Sequence, residues 1–185
     1  RYIITFLAAA SPALAEVPQV VTDIPPVHAL VSQVMGDLGQ PVLLLAKGAD
    51  EHDFQLKPSQ AGAVADSGLV VWIGPELTPW LESALEARPE GAAALALLDA
   101  EGTVARGYGE KHGAEHGEES HDHGAEDPHA WLDPGNAQAW LGLIAGELAR
   151  LDPDNADTYQ ANAAAAGEGI AALATVTAWL RPRLG

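Results

Sequence analysis

The chain has 185 residues, 48% of them hydrophobic, with 26 acidic against 9 basic side chains and a formal net charge of −17. That is enough apolar material for one ordinary domain with a real core, and it excludes a chain disordered throughout. The charge excludes nucleic acid as a partner, because phosphate binding needs clustered Lys and Arg. The absence of cysteine excludes disulfides and thiolate metal sites.

The N-terminus comes first. After Arg1, residues 2–10 form a short apolar run, and Ser11-Pro-Ala-Leu-Ala15 ends it in an Ala-x-Ala pattern. This reads as a secretory signal peptide over residues 1–15 with its start missing, the alternative being a buried N-terminal strand or helix. The run falls far short of the ~20 residues that span a bilayer, so the mature protein is expected to be exported and not membrane-spanning.

Residues 19–23 read as a buried strand, closed by Pro25 and Pro26, which can begin a helix. Val27, Leu30, Val31, Val34 and Met35 then recur at helical spacing until Gly36 and Gly39 stop the pattern. Residues 42–46 are a second strand, 48–57 a loop, and Pro58 opens a short helix to about Ser67. Residues 69–73 are a third strand, closed by Gly74-Pro75; Leu77, Trp80, Leu81, Ala84 and Leu85 mark another helix, and 94–98 a fourth strand. Residues 107–126 form a low-complexity insert of Gly, His, Glu and Asp with too little apolar surface to pack, expected to be mobile. Asp133-Pro134 is an N-cap followed by a first helical residue, and Ala137, Trp140, Leu141, Ile144 and Leu148 give that helix one apolar face. Asp152-Pro153 repeats the signal, and residues 153–185 read as one long, Ala-rich helix.

Alternating strands and helices, with strands that are continuous apolar runs, predict an α/β fold with a parallel sheet flanked by helices. Ligands of such sheets bind outside the carboxyl ends of the strands. The loop with His52 follows the second strand and the segment with His129 follows the fourth, so topology brings two remote histidines to one edge.

His52 lies among Asp50, Glu51 and Asp53, and His129 lies in the Pro-punctuated turn Glu126-Asp-Pro-His-Ala-Trp-Leu-Asp-Pro134. Imidazole binds a metal through one nitrogen while a carboxylate can hold the other N–H, and this predicts that His52 and His129 share a cation. Glu51 is open to three readings: direct ligand, hydrogen-bond partner of an imidazole, or solvated carboxylate. Asp127 and Asp133 read as turn and cap residues, and His28, beside the apolar face of the first helix, as a packed or half-exposed histidine. His112, His116, His121 and His123 in the insert offer loose metal capture. His112-Gly-Ala-Glu-His116 fits a metalloprotease pattern that works only on a helix, and the surrounding glycines speak against it. No phosphate loop or nucleophile elbow is present.

Three stretches carry a resemblance when taken in order: Gly48-Ala-Asp-Glu-His-Asp-Phe-Gln-Leu-Lys-Pro-Ser59, Val70-Val-Trp-Ile-Gly-Pro-Glu76 and Asp127-Pro-His-Ala-Trp-Leu-Asp-Pro134. With Leu151-Asp-Pro-Asp-Asn-Ala-Asp-Thr-Tyr159, they make the chain, from about Val20 onward, similar to the zinc-specific substrate-binding proteins of bacterial ABC importers, the high-affinity zinc uptake (ZnuA-like) group. The resemblance implies two α/β lobes joined by a rigid helix with the metal between them. Residues 16–152 then correspond to the N-terminal lobe and 153–185 to the connecting helix, with the C-terminal lobe absent. It implies His52 and His129 as ligands, an acidic position matching Glu51, and a His-rich loop at 107–126. A further histidine and acidic ligand would belong to the second lobe.

The expected function is capture of Zn²⁺ in the periplasm and delivery to an ABC transporter permease, by a monomer that is not an enzyme. Neutral imidazoles suit zinc, whereas magnesium and calcium prefer oxygen shells. Manganese binding within the same family is the alternative. A zinc metallohydrolase is a more remote one, since no general base beside an open metal position is visible.

Overall fold

The computed structural model describes residues 17–45, 48–50, 54–89, 91–107 and 126–184, the side chains only as far as Thr175. The expected leader, residues 1–15, lies outside them. Four strands, β1 (Val20–Thr22), β2 (Val42–Leu43), β3 (Leu69–Trp72) and β4 (Ala93–Ala96), form one parallel sheet in the order β2-β1-β3-β4. Val21 pairs with Val42 on one side and Val70 on the other, and Val70 in turn pairs with Ala94.

Three helices make the crossovers: α1 (Pro25–Met35), α2 (Pro58–Asp66) and α3 (Pro79–Glu86), each begun by a proline whose missing N–H is no loss in a first turn. The step from β1 to β2 runs one way along the sheet, and the steps to β3 and β4 run the other. Right-handed crossovers therefore put α1 on one face and α2 and α3 on the opposite face. The core divides accordingly. Leu69, Val71 and Ile73 pack in one cluster with Val27, Val31 and Val34 of α1, while Val70 and Trp72 pack in a second with Val64 of α2 and Leu81 of α3. Alternate residues of β3 thus meet different helices, and both sets are buried, which is why this strand reads as an unbroken apolar run. The outer strands are less covered; Val42 is 45% exposed.

Two further helices complete the α1 face: α4 (Pro134–Leu151) and α5 (Ala156–Leu184), the latter begun after a tight helical turn at Pro153–Asn155 rather than at residue 153. Trp140, Leu141, Ile144 and Leu148 of α4 are buried, with Tyr159 and Ala163 of α5 against them. The Tyr159 hydroxyl donates to buried Asp152 at 2.8 Å, which ties the start of α5 to the end of α4. Asn162 of α5 donates to the Val34 carbonyl at 3.0 Å. Its amide nitrogen lies 2.7 Å from where a side chain on Gly36 would begin, and Gly36 has φ +54°. Only glycine combines that backbone angle with that approach.

Other boundaries also differ from expectation; the ladder of the second strand, expected over 42–46, ends at Leu43. Leu77 lies in a turn ahead of α3, with its N–H on the Gly74 carbonyl, because Thr78 and Pro79 start the helix. The fourth strand starts one residue earlier and its ladder ends at Ala96, although the Leu97 and Leu98 N–H groups still reach the Trp72 and Ile73 carbonyls. The ends of the expected mobile insert are paired: β5 (Arg106–Gly107) runs antiparallel to β6 (Glu126–Asp127). Residues 108–125 lie outside the described residues. Among the described residues no helix is long and apolar enough to cross a membrane.

At the carboxyl end of β1, where the strand order reverses, sits Asp23, fully buried. Its carboxylate accepts from the Ile24 N–H (2.7 Å), the Ile73 N–H (2.8 Å) and the Thr78 hydroxyl (3.3 Å). Burial outweighs these donors and pushes its pKa up from 3.8 to about 6. The folded state therefore holds this proton up to a higher pH than the unfolded chain, and Asp23's contribution to stability falls as pH rises from about 4 to about 6. Asp23→Asn turns an amide N–H₂ toward backbone donors and is expected to lower stability by about 1–3 kcal/mol at pH 7, measured by urea unfolding. The gap between the two proteins is expected to be wider at pH 4.5 than at pH 7. A gap that does not change with pH would mean that Asp23 does not titrate in this window.

Candidate metal centre

After β4 the chain turns back over the sheet edge. The Thr103 hydroxyl donates to the Leu97 carbonyl at 2.6 Å and accepts from the Trp140 indole N–H at 2.8 Å. Asn136, in the first turn of α4 and buried, accepts from the Val104 N–H and donates to the Val104 and Ala130 carbonyls at 2.8–3.0 Å. One side chain therefore fastens the segment that leads into β5 to the turn that carries His129.

His129 begins that turn, with φ −78° and ψ 35°, and its carbonyl accepts from the Leu132 N–H. Asp133 caps α4, accepting from the Gly135 N–H at 2.8 Å, as the Asp-Pro pair predicts. Asp127 does more than close a turn. One of its oxygens accepts from the His129 backbone N–H at 3.0 Å and from His129 Nδ1 at 2.6 Å. The two bonds from His129, backbone first, together with the charges of His129 and Arg106, hold the Asp127 carboxyl below its usual range. An ionised carboxylate can only accept, so Nδ1 carries the proton in the neutral ring and the in-plane lone pair, the one that coordinates a metal in an imidazole ligand, is on Nε2. The imidazole also lies 5.0 Å, centroid to centroid, from the Trp131 ring at a 55° tilt. Sequence alone signals this carboxylate–imidazole pair only through the i, i+2 spacing of Asp127 and His129 around Pro128.

His129 and Asp127 line a cleft of about 330 Å³ with Val104, Arg106, Ala130, Leu132, Asp133, Pro134 and Asn136. The His129 side chain is 29% exposed, open enough to be reached from solvent yet held in place.

His52 and Glu51 lie outside the described residues, but both flanks of their loop are placed. At its start, the Leu45 N–H donates to the Asp23 carbonyl, at the carboxyl end of β2. At its end, Phe54 packs edge-on to Trp80, the second residue of α3, with ring centroids 5.0 Å apart. β2 and β4 are opposite edges of the sheet, three strand spacings or roughly 14 Å apart. Phe54, at the end of the loop, is thus fixed against the helix that follows β3. His112, His116, His121 and His123 also lie outside the described residues, and among the described residues no three His, Asp or Glu side chains gather into a metal-holding group. His28 is half-buried, with Nε2 3.2 Å from the Pro41 carbonyl and Nδ1 3.4 Å from the Ser32 hydroxyl, as a packed histidine rather than a ligand would be.

The chain is similar over residues 20–184 to the family described as zinc-uptake complex component A, periplasmic. It is 51% identical over 190 residues to a high-affinity zinc uptake system protein ZnuA of Paracoccus denitrificans, covering 89% of this chain and 57% of that protein. A protein of the same name from Brucella abortus is 34% identical over 198 residues, covering 88% and 58%. Among solved structures, the metal-dependent lipoprotein YcdH of Bacillus subtilis superposes with a TM-score of 0.69 at 24% identity, over 85% of this chain and 53% of that one. Zn(II)-bound AdcA of Streptococcus pneumoniae gives 0.69 at 23% identity, over 86% and 32%. These two structures bear on the fold alone. The chain spans little more than half the length of the curated relatives named here.

The tautomer can be read directly. Long-range ¹⁵N–¹H spectra of the neutral His129 ring are expected to show the proton on Nδ1, and Asp127→Ala is expected to shift it toward Nε2. Indistinguishable spectra for the two proteins would mean that Asp127 does not set the ring.

Proposed function

The chain belongs to the zinc-uptake complex component A family, and from that premise we propose that it is a periplasmic binding component that captures Zn²⁺ and delivers it to an ABC transporter permease. The observation that carries this reading is the Asp127–His129 pair at the rim of an open cleft, an imidazole oriented as a metal ligand should be. We assign His52 as the second imidazole, in the loop whose ends are fixed at Leu45 and Phe54, with Glu51 beside it. His112, His116, His121 and His123 are assigned to a first, looser capture of the ion. The acidic composition favours cation approach. Residues 1–15 serve in this reading as the export signal, residues 16–152 as a metal-binding lobe, and α5 as the connection onward from it. In this reading the protein acts as a monomer and as a carrier rather than a catalyst, and the description of its family as an uptake-complex component supports the carrier role.

Calorimetric titration with zinc tests this. His129→Ala and His52→Ala are each expected to weaken binding by at least about 10-fold, on the scale of losses seen when a metal site is disturbed. Affinity is expected to fall between about pH 7.5 and pH 5.5, since protons compete for the same imidazole nitrogens. Equal affinities at the two pH values, or tighter binding of manganese than of zinc, would count against the zinc reading.

A further inference from the structure

We propose that Arg106 loosens the grip of the His129 cleft on its divalent cation, so that a captured ion is handed on rather than sequestered; this rests on the reading of the chain as a metal carrier.

The chain has only 9 basic residues against 26 acidic ones. One of the 9 stands at the cleft where a cation would least be expected. Arg106 lies in β5 directly across the antiparallel ladder from Asp127, the residue that holds the His129 ring. It lines the same cleft as His129. Its Nη2 is 3.4 Å from an oxygen of Asp133, whose other oxygen caps α4. Arg106 therefore offsets two carboxylates, at positions 127 and 133, that bracket the histidine in sequence and line the cleft with it. Without that guanidinium the same carboxylates would draw a divalent ion more strongly.

The plainer role, an ion pair that steadies the ribbon, explains little. The Arg106 side chain is 79% exposed and the contact with Asp133 is long, the kind of pair that contributes almost nothing to stability. A guanidinium also keeps its charge at every pH a bacterium meets. Proton competition at histidine weakens binding only in acid, whereas Arg106 opposes the cation at all pH values. Being exposed, its effect is open to screening by salt.

The test compares the unsubstituted protein with Arg106→Gln and Arg106→Lys. Zinc affinity and the rate of zinc release to a strong chelator are measured at low salt and at about 0.5 M salt, where the screening length has fallen below about 5 Å. Arg106→Gln is expected to bind zinc about three- to tenfold more tightly and to release it more slowly, the scale of one screened charge. That difference should shrink at high salt, and Arg106→Lys should behave as the unsubstituted protein does. Unchanged or weaker binding by Arg106→Gln, or an equal change in Arg106→Lys, overturns the proposal while leaving the carrier reading intact. Failure of the unsubstituted protein to bind zinc overturns both.

Discussion

A buried carboxylate, paired with no cation among the described residues, holds this fold at the point where its strand order reverses. Asp23 takes three hydrogen bonds, one from the start of α1, one from the end of β3 and one from the turn into α3. An acidic group in such a place is expensive to desolvate, and its raised pKa records that cost. What it secures is geometric. The carboxyl ends of the two central strands, and the helices that leave them in opposite directions, are locked to one group. The loops of β2 and β4 then rise from a rigid edge on either side of it.

On that edge the candidate site is built from the outside inward. Asn136 fixes the segment before β5, at Val104, to the His129 turn, the β5–β6 pairing brings Asp127 into line, and Asp127 fixes the ring. The Asn136 and Asp127 steps each use a short polar side chain to satisfy backbone groups of the loop. The imidazole is thus oriented by hydrogen bonds within the protein. A ligand taken up by a side chain ordered in this way does not have to spend binding energy on ordering it.

Much of this is legible in the sequence, for physical reasons that differ by element. The run Leu69 to Trp72 announces a doubly covered parallel strand because every side chain in it is buried, on one face or the other. α4 is equally plain, since Asp133-Pro134 marks its start and Trp140, Leu141, Ile144 and Leu148 mark its face. The β5–β6 ladder is invisible to such reading. Two residue pairs are too few to show a period, and Arg106 and Glu126 are exposed. Asp23 reads only as a strand end, because nothing local says that its partners lie 50 and 55 residues on, at Ile73 and Thr78. Asn136 reads as a polar first-turn residue. Its role depends on Val104, 32 positions earlier in the chain. Residues whose partners are remote carry no local signature, and in this chain they are the ones that position the site.

One mechanical consequence follows from the long helix. α5 is held along its first half, by Tyr159 on Asp152, by Asn162 against Gly36, by Gln138 on the Gly167 carbonyl and by Ala166 and Ile170 against the core, while side chains 171–175 are exposed. From Ala171 to Leu184 it extends roughly 20 Å at the ordinary rise per residue. That stretch is a lever whose fulcrum is the last packed turn, at Ile170. A tilt of about 6° there would displace Leu184 by about 2 Å.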